Sequence, residues 1–187
     1  MKQAAAVRDI MKRNVRKSEK LLIGGLSFIF LFMITQDLVP LGALNDVQAI
    51  SADRSRGELI TVTLFGAGQV LLLMGMALFF IGKHYPLLVK LWLIIHQSFI
   101  FSGALIDWWI PYFSGYGAEQ RIERYNNMFG DTHSFLPVIH GIVPNTLHVL
   151  FHSTLLACII VTIYISVTDK KNARRVEEEK YIKAKAR

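Results

Sequence analysis

Two histidines four residues apart, His148 and His152, offer the most direct chemistry in this chain of 187 residues. Residues at i and i+4 share one face of a helix, so two imidazoles at that spacing can converge on one metal ion or one substrate. Asn145 shares the same face. His133 and His140 lie just upstream, and these four are among only six histidines in the chain. Carboxylates that can join them are Asp37, Glu58 and Asp107, each expected near the same end of an apolar helix. Histidine nitrogen with carboxylate oxygen suits a first-row metal, so copper, iron or zinc is the expected ion for a set drawn from His148, His152, His133, His140, Asp37 and Glu58.

A second chemistry is acid/base work by His96 and Asp107. Eleven residues separate them on one helix, which brings them to one face with His96 about 16 Å deeper. Trp92 and Gly103 share that face, and Glu58 and Gln69 repeat the spacing. The picture is an outer layer of Asp37, Glu58, Asp107, His148 and His152 above a deeper pair, Gln69 and His96. A plainer alternative has these groups hydrogen-bonding one another and capping helix ends. The spacing H-x-x-x-H is weak by itself. Val149 follows His148, so the H-E-x-x-H of zinc hydrolases is missing, and no phosphate loop or nucleophile elbow stands out.

The elements that must position these groups are apolar. Hydrophobic residues make up 52% of the chain and mean hydropathy is +0.37. They fall in four blocks, 21–40, 59–82, 87–110 and 144–168, each near the ~20 residues that cross a bilayer as a helix. The expected fold is therefore all-α: a polytopic membrane protein of four transmembrane helices, with a structured external loop, 111–143, between helices 3 and 4. Residues 117–128 are predicted to form a short surface helix. The short turn Gly82–Pro86 predicts that spans two and three are antiparallel neighbours.

Charge placement sets the expected orientation. The net charge is +7, and Lys and Arg crowd residues 1–20, the turn with Lys83 and Lys90, and the tail after 168. The other two connections mix signs. The positive-inside rule then puts both termini in the cytoplasm and the histidine-rich loop outside. Residues 1–20 place Ala4, Val7, Met11 and Val15 on one stripe, as in a helix lying on the inner membrane surface. The basic residues flank membrane spans instead of forming a folded face interleaved with aromatics, so they indicate lipid as partner and no nucleic acid. Cys158 is the one cysteine, which excludes an intrachain disulfide or a cysteine-built metal site.

Three functions fit this pattern. The leading expectation is a small integral-membrane subunit of a larger complex with other membrane subunits, metal-dependent or redox in character. The alternative is a stand-alone membrane enzyme with a His/Asp site near the outer face, acting on a lipid-like or small apolar substrate. An ion or proton pathway ranks third, because no inverted repeat or broken helix is legible.

Overall fold

The computed structural model describes residues 14–185, with side chains described for 14–169. The stripe expected from Ala4 to Met11 and the side chains of the charged tail lie outside that range. The protein is all-helical, with 75% helix and no strand among the described residues. Helix α1 spans Lys17–Thr35, the short α2 Val47–Asp53 and α3 Arg56–Phe80. The next long element runs from Leu87 to Ser114 as α4 (Leu87–Ala104), a wide π turn (Leu105–Trp109) and α5 (Ile110–Ser114). Helix α6 covers Glu119–Phe129 and α7 runs from Thr146 to Lys185. Four stretches are long and apolar enough to cross a membrane: Lys17–Thr35, Arg56–Phe80, Leu87–Ser114 and Thr146–Asp169.

Local chemistry explains where the helices begin. Ser55 and Glu58 form a reciprocal capping box, with the Ser55 N–H donating to Glu58 Oε2 at 2.9 Å and the Glu58 N–H to Ser55 Oγ at 3.3 Å. Asp46 Oδ1 caps α2 by accepting the Ala49 N–H. Asn145 does the same for α7 by accepting the His148 N–H. Outward-facing positions stay apolar, as Phe65 (71% exposed) and Leu88 (80%) show. Such helices are of the kind that could span a membrane.

The core lies between α1 and α7. Leu22, Leu26, Ile29 and Phe32 meet Leu147, Phe151, Leu155 and Ile165. Phe32 and Phe151 stack with ring centroids 4.3 Å apart. Gly25 is needed here, because a Cβ at that position would run into Cys158 Sγ. Helix α3 packs on α1, and α4 packs on α7. Spans two and three are thus only lightly in contact, contrary to the expectation from their short connection. Tyr85 in the turn is buried against the end of α3, its hydroxyl donating to the Ala77 carbonyl and its ring lying 5.8 Å from Phe80.

Polar groups inside the bundle are paired in two places. Gln97 Nε2 donates to Thr162 Oγ1 at 3.1 Å, tying α4 to α7. At the end carrying the turn, Asp169 accepts from Lys90 Nζ and His84 Nδ1, both at 2.8 Å, and from the Tyr85 N–H. Lys90 and Asp169 are both buried. Lys90, read from sequence as part of a basic turn, is therefore an internal counter-ion.

Candidate functional site

The opposite end of the bundle gathers the candidate residues, and a proline arranges them. Pro111 has no N–H, and its ring crowds the carbonyl four residues earlier, that of Asp107. The helix widens into the π turn Leu105–Trp109 just before it. The freed Asp107 carbonyl accepts the Tyr125 hydroxyl at 2.9 Å, which fastens α6 over this end. Arg124 Nε reaches Asp53 at 3.2 Å, joining α6 to α2. Ile50, Leu59 and Met128 form a small apolar cluster beneath.

Trp108 points inward from the π turn and is buried. It stacks on Tyr125 at 4.4 Å and lies 4.7 Å from the His148 ring. Trp109 lies 5.6 Å from Phe113 and 6.0 Å from His152. The two tryptophans divide the region. On the Trp108 side is a polar chamber of about 380 Å³, whose walls include Gln36, Asp37, Arg54, Arg121, Arg124 and His148. On the Trp109 side is an apolar groove of about 520 Å³, lined by Phe101, Leu105, Trp109, Phe113, Leu156 and His152 among others.

The two histidines have different surroundings. Asn145 Oδ1 accepts the His148 ring Nδ1 at 2.7 Å. The amide orientation is set because Oδ1 also takes a backbone N–H while Nδ2 donates to the Leu44 carbonyl. An oxygen acceptor requires a proton on Nδ1, so the Nε2 of neutral His148 carries the lone pair. His152 is 3% exposed and its Nδ1 is buried without a hydrogen-bond partner. Their ring centroids are 6.0 Å apart.

The remaining candidates are scattered. His133 is exposed and bridges a loop to the start of α7 through Thr146 Oγ1 at 2.8 Å. His140 is exposed in a tight turn at φ 50°, against Gly115. Glu58 is exposed and spends its carboxylate on Ser55. Asp107 is exposed, 3.7 Å from Arg121. Asp37 is buried in the chamber wall, and burial pushes its carboxyl pKa up while the Arg54 charge opposes the shift. His96 stacks on Trp92 at 5.1 Å, on the flank of α4 instead of its core face; Gln97 occupies that face. Among the described residues no three His, Cys, Asp or Glu side chains group as metal ligands. His148 and His152 lie side by side, and Asp37 and Asp107 share the walls of the polar chamber with His148; His133, His140, Glu58 and His96 line neither the chamber nor the groove.

Sequence reasoning passed over Gln36, Arg54 and the separation made by Trp108 and Trp109. The signal for the last was present: a proline four residues after Asp107 marks an interrupted helix turn. Compared with known proteins, the chain matches no family model, no curated protein and no solved structure.

Proposed function

We propose that the chain is an integral membrane protein that binds a lipid-like or small apolar molecule in the groove beside His152. In this reading the four apolar helices cross the bilayer with both termini in the cytoplasm, since Lys and Arg crowd the sequence before the first span, in the turn after the second and after the fourth. The groove then opens at the outer boundary of the membrane.

The observation that carries the reading is His152 in the wall of a groove otherwise lined mainly by apolar side chains, with its Nδ1 buried behind that wall and unpartnered. A buried polar nitrogen left unpaired costs roughly 1–3 kcal/mol. A hydroxyl or carbonyl on a bound amphiphile recovers that cost, while the aromatic walls take its chain. The dimensions suit a drug-sized molecule.

The test is extraction of the gently purified protein and comparison of its bound small molecules with bulk lipid. One species should be enriched with the wild type. His152→Phe fills the groove and should reduce that enrichment more than tenfold, with helix content and elution unchanged. A wild type that enriches nothing overturns the reading.

A second reading is a small subunit of a larger membrane complex. It is supported by α7, which continues as one helix from Asp169 to Lys185, past the last apolar turn. Partner chains retained at fixed ratio, and lost on deletion of 170–187, would distinguish it. A wild type that purifies alone with full ligand enrichment counts against it.

A further inference from the structure

The polar chamber contains two opposite charges that do not meet. Asp37 is 8% exposed and makes no hydrogen bond or ion pair among the described residues. Arg54 lines the same chamber, and its guanidinium likewise has no ion pair among the described residues. Gln36, next to Asp37 at the end of α1, has a buried Oε1 without a partner. The other two arginines are held in place: Arg124 by Asp53, and Arg121 by the Gly117 carbonyl at 2.9 Å. One element therefore offers acceptors and another offers donors, around a space of about 380 Å³.

We infer that this chamber binds a small zwitterion, with a primary ammonium on Asp37 and Gln36 Oε1 and a phosphate or carboxylate a few bonds away on Arg54. An anion alone would leave Asp37 buried and unpaired, and a cation alone would leave Arg54 unpaired, since Arg121 already has Asp107 beside it and Arg124 has Asp53. Burying a charge without its partner is the expensive case. A zwitterion satisfies both, and the guanidinium fork suits a two-oxygen anion. The inference rests on Asp37, Gln36 and Arg54, none of which lines the groove, so it stands or falls separately from the lipid-like ligand proposed there.

Two sources share this chemistry: a free aminoalkyl phosphate and the headgroup of phosphatidylethanolamine. The experiment uses the full chain in nanodiscs of phosphatidylglycerol. One arm titrates free phosphoethanolamine by calorimetry. The other counts lipid retained by native mass spectrometry from nanodiscs mixing phosphatidylglycerol and phosphatidylethanolamine equally. Binding in the first arm alone identifies a soluble zwitterion, and selective retention in the second alone identifies the lipid headgroup. In either case Asp37→Asn and Arg54→Gln should each weaken binding at least tenfold. Inorganic phosphate should bind Asp37→Asn more tightly than the wild type, because the opposing carboxylate charge is gone. Asp37→Asn should melt no lower than the wild type, which separates lost binding from lost fold. Absence of binding in both arms, or equal binding by Asp37→Asn, overturns the inference.

Discussion

Oδ1 of Asn145 accepts two hydrogen bonds from His148, one from its backbone N–H at 2.9 Å and one from its ring Nδ1 at 2.7 Å. One oxygen thus caps a helix and selects a histidine tautomer. Asn145→Ala should lower stability by about 1–2 kcal/mol, the usual cost of losing such a cap. It should also free the His148 ring. Nitrogen NMR of histidine-labelled protein should show His148 as a single Nδ1–H tautomer in the wild type and as a mixture in the variant. A single unchanged tautomer would mean that the aromatic packing, and not Asn145, orients the ring.

Pro111 is the steric cause of the π turn, so Pro111→Ala should let the helix close to regular spacing. Trp108 and Trp109 would then rotate about the helix axis, and the Asp107 carbonyl would no longer be free for Tyr125. Near-ultraviolet dichroism from the stacked Trp108 and Tyr125 should fall while helix content holds or rises. An unchanged aromatic spectrum would show that packing alone maintains the wide turn.

Lys90 and Asp169 form a buried ion pair at 2.8 Å. Removing one partner strands the other, at about 3–5 kcal/mol. Lys90→Met and Asp169→Asn should each lower the melting temperature strongly. Lys90→Met with Asp169→Leu should recover most of the loss, because two apolar residues need no counter-ion. His84 Nδ1 and Arg16 also approach Asp169, so full recovery is not expected. A double variant as unstable as the worse single one would refute the pairing.

Asp37 gives the chain a pH dependence of definite sign. Burial raises its pKa above the ordinary 3.8, so the folded state holds this proton more tightly than the unfolded chain. Its contribution is most favourable below the unfolded pKa and is lost as pH rises through the raised folded value. The melting temperature of the wild type, relative to Asp37→Asn, should therefore fall as pH rises above the ordinary carboxyl pKa of 3.8. Parallel curves for the two proteins would mean that the carboxylate is solvated.

The sequence determined by itself that the chain is all-helical, and where its apolar helices lie. Block length, capping residues and proline positions are local signals. The helix at Glu119–Phe129 was legible for the same reason. It also singled out His148 and His152 as a pair, because i, i+4 spacing is a property of any helix. Only the tertiary structure decided which face of each helix turned inward. In helices apolar on every side, periodicity carries little facing information, so Gln97 and not His96 took the core position on α4. The order in which helices pack was equally hidden: a short turn suggests adjacency, yet α3 packs chiefly on α1 and α4 on α7. Closeness of the candidate ligands was decided there too, since Glu58, His133 and His140 spend their bonding or geometry locally. The placing of Asp37 and Arg54 in one chamber, and the division made by Trp108 and Trp109, depend on residues distant in the chain, which no local pattern encodes.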